Sequence, residues 1–194
     1  MTKLNVKQKT EKMVLGAIFT ALVVVLQLMG SFIRFGPFSV SLVLVPIVIG
    51  AALCGTKIGA WLGFVFGVTV LLSGDAAPFF AIDVLGTVLT VLLKGTLCGL
   101  CAGAVYSFFK NRNIYLAVIL SAIICPIVNT GVFFLGCVAF FLETIVAWGA
   151  AEGFKNAATY MFIGLAGGNF IFELLSNIIL APVILRIISA VKKQ

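Results

Sequence analysis

Residues 160–188 read YMFIGLAGGNFIFELLSNIILAPVILRII, an apolar run long enough to cross a bilayer that carries Asn169, Glu173 and Asn177 at intervals of four. On a helix these three side chains lie along one face. A carboxyl group at membrane depth is costly unless it meets a partner or lines a polar cavity, so the stripe marks a candidate functional face. The other helices are expected to assemble around it.

The composition supports that reading. Hydrophobic residues make up 62% of the 194, charged residues only 10%, and the mean hydropathy is +1.26. Soluble domains are nearer to half apolar and a quarter charged. The chain therefore reads as an all-α integral membrane protein, with room for about six spans in one bundle. They are expected at 13–32, 38–54, 58–72, 84–108, 114–142 and 160–188, after a basic segment 1–12 and before a basic tail 189–194. The first apolar run is too long for a signal-peptide core and reads as a retained helix. The fifth is too long for one crossing, so its end and residues 140–160 are expected along the outer interface.

Lysine and arginine near span ends stay on the cytoplasmic side. With both termini inside, that side receives Lys3, Lys7, Lys9, Lys12, Lys57, Lys110, Arg112, Arg186, Lys192 and Lys193, and the outside only Arg34 and Lys155. The expected location is the cell membrane, multi-pass, with cytoplasmic termini. The same asymmetry accounts for the net charge of +7 without a nucleic-acid partner.

One basic residue remains, Lys94, inside the fourth span. At 1.5 Å per residue it lies about 15 Å below the outer end of its helix, and Asn169 and Glu173 lie roughly 14 and 20 Å below theirs. Asn129, on the fifth span, falls about 8 Å short of the outer surface. Four polar residues from three helices thus share the middle and outer half of the membrane, as an outward-opening substrate pocket requires. A buried Lys94–Glu173 ion pair, with the asparagines tying helices together, is the plainer alternative.

Other chemistry is sparse. Five cysteines lie in or beside apolar runs and there is no histidine, so Cys98 and Cys101 read as packing residues, with no metal centre and no cofactor expected. No acid-base constellation points to an enzyme, and no Walker-type loop is present, so any ATP dependence must come from partners. Gly59, Gly63 and Gly67, with Gly95, Gly99 and Gly103, recur every four residues and form two smooth ridges suited to close helix packing. Ala17 and Ala21 make a third small-residue face at the cytoplasmic end of the first span, where a second membrane subunit can dock.

The sequences MVLGAIFTAL at 13–22, VPIVIGA at 45–51 and GAWLGFVFG at 59–67, after a lysine-rich start, resemble the substrate-binding S component of energy-coupling factor (ECF) transporters. The resemblance is carried by the first four spans. It implies a six-helix protein that captures a vitamin outside the cell and works with a transmembrane coupling subunit and two cytoplasmic ATPases. It assigns Ala17 and Ala21 to the coupling-subunit contact. Substrate is then held by the outer halves of the fourth to sixth helices, with Lys94, Asn129, Asn169, Glu173 and Asn177, and covered by the loop 31–39 with Arg34.

Many relatives place a proline-arginine pair before the first glycine of the fourth helix; here the sequence is Leu93-Lys94-Gly95. Lysine keeps the charge without the bidentate fork, which suits a single carboxylate better than a phosphate-rich ligand. Pantothenate fits that pattern. Riboflavin, stacking on aromatics such as Phe79, Phe80, Trp148, Phe154 and Tyr160, is the alternative, and a self-sufficient secondary transporter is the other functional class.

Overall fold

A computed structural model describes residues 6–31, 34–35, 38–39 and 42–192, apart from the side chains of residues 7, 34, 35, 38, 39 and 192. The ends of the two basic terminal segments, and residues 32, 33, 36 and 37 of the loop 31–39, lie outside the described residues. The helices are α1 (Val6–Gly30), α2 (Leu44–Cys54), α3 (Thr56–Leu72), α4 (Ala77–Phe80), α5 (Val84–Phe109), α6 (Ile114–Phe140), α7 (Leu142–Ala151), α8 (Ala157–Thr159) and α9 (Gly167–Lys192). A π-helical turn, Tyr160–Leu165, precedes α9, and two short strands, β1 (Arg34–Phe35) and β2 (Phe38–Ser39), pair antiparallel between α1 and α2.

Among the described residues, four helices are long and apolar enough to cross a membrane: Gln8–Gly30, Val84–Phe109, Ile114–Phe140 and Gly167–Val191. At 1.5 Å per residue, the 11 residues of α2 and 17 of α3 cover about 16 and 26 Å, less than the roughly 30 Å hydrocarbon core. The first helix begins at Val6, seven residues before the expected start, and two other starts come later than expected. The second helix begins at Leu44, because Phe38 and Ser39 pair with Phe35 and Arg34 as a strand. The last regular helix begins at Gly167, where an added Cβ would collide with the Phe162 carbonyl oxygen of the preceding π turn.

Helix ends follow local chemistry. Asp83 caps α5 by accepting a hydrogen bond from the Gly86 amide at 3.0 Å, and Asn113 caps α6 through the amides of Tyr115 and Leu116. Gly55, at φ +103°, turns the chain between α2 and α3. Large apolar side chains such as Leu85, Leu135 and Ile179 point outward and are exposed. In water such a surface would aggregate; in lipid it is the natural exterior.

The glycine ridges set the core. A Cβ on Gly63 would collide with the Gly95 carbonyl oxygen, one on Gly59 would lie 2.6 Å from that of Gly99, and one on Gly67 would lie 2.9 Å from that of Val91. Thus α3 and α5 meet backbone against backbone. Ser121 of α6 adds a hydrogen bond to the Ala102 carbonyl of α5 at 2.9 Å. Helix α9 packs against α6 and α2, which carries Glu173 toward α5.

Candidate functional site

Six helices converge on one small cavity with a cluster of polar side chains. Gln27 comes from α1, Phe66 and Val70 from α3, Phe79 from α4, Val91 and Lys94 from α5, Asn129 and Phe133 from α6, and Asn169 and Glu173 from α9; Asp75 and Ala76 come from the turn before α4. The close approach of α3 to α5 brings Phe66 near Lys94, and the α6–α9 packing brings Asn129 to Glu173. Lys94, Asn129, Asn169 and Glu173, drawn from three helices by depth alone, therefore share one space.

Glu173 is 2% exposed and Asn129 5%. The Glu173 carboxyl accepts hydrogen bonds from Asn129 Nδ2 at 3.4 Å and Asn169 Nδ2 at 3.3 Å. Both are long for hydrogen bonds to a carboxyl group. The Lys94 ammonium lies 5.3 Å from the Phe133 ring centre and 5.8 Å from that of Phe66. Among the described residues it has no carboxylate within the 4.0 Å of an ion pair. The plain ion-pair alternative is thus not the arrangement seen.

Asn177, the third member of the stripe, does not line the cavity. It is 1% exposed, one turn further along α9, and its Nδ2 donates to the Glu173 carbonyl at 2.8 Å. Arg34 sits on β1, and its side chain lies outside the described residues. Ala17 and Ala21 are exposed on α1, while Gly16 and Phe19 turn inward. Trp61 of α3 flanks that face and donates to Thr20 Oγ1 at 3.2 Å.

Sequence reasoning passed over two polar members of the lining. Gln27, 2% exposed, donates through Nε2 to Asp75 Oδ2 at 2.8 Å; the same oxygen accepts from Ser31 at 2.8 Å and Ser73 at 3.0 Å. The signal for Gln27 was present as a lone amide within the first apolar run. Asp75 offered none, because a carboxylate in a turn reads as a solvated one.

The space inside is about 50 Å³, room for roughly three to five waters. Ligand pockets run from about 300 Å³, so binding requires the walls to part. Phe79 is the thin wall: its other side faces a second cleft of about 290 Å³ with Pro78, Trp148, Glu152, Tyr160 and Leu165. Its ring packs edge-on against Phe133, Phe141 and Trp148. Phe79→Ala should join the two spaces. A cysteine placed at Val91 in a cysteine-free background should then react several-fold faster with a soluble maleimide; an unchanged rate would show that entry lies elsewhere.

Comparison with curated proteins gives no match. The family model for the substrate-specific component of ECF transporters matches residues 11–188, nearly the whole chain and every helix that builds the cavity. By that match the chain belongs to the family of ECF transporter substrate-specific components, a multi-pass membrane protein that binds a small-molecule substrate as part of a transport system.

Proposed function

We propose that this protein is the high-affinity binding subunit of an ECF-type importer for a small water-soluble vitamin, with pantothenate as the first candidate. The observation that carries the reading is the cavity whose lining brings Lys94, Asn129, Asn169 and Glu173 together inside an otherwise apolar bundle. Isolated polar groups at that depth are expensive, and grouping four of them around free space is what a polar ligand repays. Lys94 would take a carboxylate, and the asparagine oxygens would take hydroxyl or amide donors. A ring-bearing vitamin such as riboflavin is the second reading, supported by the three phenylalanines of the lining, Phe66, Phe79 and Phe133.

Transport then requires a transmembrane coupling subunit and two cytoplasmic ATPases, with both termini and the Ala17–Ala21 face toward the inner leaflet. A large ring on that face would hold the partner helix away. Ala17→Trp and Ala21→Trp should abolish co-purification with the coupling subunit and leave ligand titrations unchanged; retained assembly would displace the contact from this face. Liposome uptake separates the classes. The protein alone should bind without transporting, whereas uptake driven by an ion gradient in the absence of partners would make it a secondary carrier.

A further inference from the structure

Lys94 and Glu173, both in the cavity lining, are each engaged by their own neighbours. The Glu173 carboxyl is engaged by the Nδ2 groups of Asn129 and Asn169. In this arrangement each amide presents its Nδ2 to the carboxyl and its Oδ1 elsewhere. Their Oδ1 atoms are buried and, among the described residues, have no hydrogen-bond partner. Buried acceptors are rarely left in this state, and here they belong to residues that line free space. In the same lining Lys94, beside two rings, offers up to three donors and no acceptor.

Lys94 therefore has no carboxylate within 4.0 Å among the described residues, and the two asparagine oxygens lack donors. We infer that the substrate is a bipolar monoacid: one carboxylate meets Lys94, and at least two N–H or O–H groups at the other end meet Asn129 and Asn169. The span between them lies against Phe66, Phe79 and Phe133. The Glu173 carboxyl is a further acidic group in the same lining, which disfavours a second acidic group on the same molecule. The inference rests on the binding-subunit reading and narrows it to a substrate class.

The test uses a defined pool of water-soluble vitamins and their precursors, each acid supplied with its neutral amide or alcohol. Purified wild type, Lys94→Met and Lys94→Gln are incubated with the pool, and retained compounds are identified by mass spectrometry and titrated singly. Wild type should retain an acid and prefer it to its neutral partner by about 30-fold or more, the loss expected when a buried charged contact is truncated. Both lysine variants should bring the pair together by losing affinity for the acid alone. Asn129→Leu should weaken acid and neutral partner alike. Retention of a compound without a carboxylate, or an undiminished preference in both lysine variants, overturns the inference and leaves the binding subunit standing. Retention of nothing overturns both.

Discussion

Lys94→Met should weaken substrate binding by about 30-fold to more than 1,000-fold, the range that follows from losing 2–5 kcal/mol when one partner of a buried charged contact is removed. The empty protein should melt at the same temperature as wild type or above it. The second half of this prediction separates a binding lysine from a structural one. If Lys94 and Glu173 formed a structural pair, removing one charge would strand the other and cost about 3–5 kcal/mol of stability. The ammonium instead rests over Phe66 and Phe133, with no carboxylate within 4.0 Å among the described residues. Methionine matches its length and removes the cost of burying a charge. Titration and thermal melting of the same preparation check both halves, and a large drop in melting temperature would restore the structural reading.

Gly63→Ala should be among the most damaging single-methyl changes in the chain. Its new Cβ would collide with the carbonyl oxygen of Gly95, a backbone atom that cannot swing aside. Overpacking usually costs about 1–3 kcal/mol, and a clash that must separate two helices lies at or above the top of that range. Gly131→Ala is the matched control, since nothing lies within 4 Å of its Cβ position. Recovery of monodisperse protein in detergent, followed by thermal melting, should show a large loss for the first and none for the second. Equal behaviour would mean that α3 and α5 are not in backbone contact.

How legible each feature was in the sequence depended on contrast. Lys94, Asn129, Asn169 and Glu173 stood out because a polar residue deep in an apolar run has few explanations. Depth along each helix was enough to group them. The glycine ridges were legible for a related reason: a four-residue spacing of residues without side chains permits close approach and little else. Phe66 and Phe133, which hold Lys94 in place, could not be singled out among 18 phenylalanines. Nothing local marks which ring faces inward when lipid and core are equally apolar.

Asn177 shows the limit of periodicity. Spacing by four places it on the same face as Glu173, yet the cavity ends above it and its amide bonds back to the helix. Asp75 failed for the opposite reason, because its role depends on Gln27 and Ser31, more than forty residues away. The late start of α9 had a visible cause in Gly164, Gly167 and Gly168, which weaken a helix where they cluster.

The most direct test of the central claim is to identify what the protein holds. Mass spectrometry of small molecules co-purifying with detergent-solubilised wild type, followed by titration of the compound into ligand-stripped protein, should find one water-soluble substrate at one per chain, absent from Lys94→Met. A preparation that is empty and also ignores a vitamin panel would contradict the account.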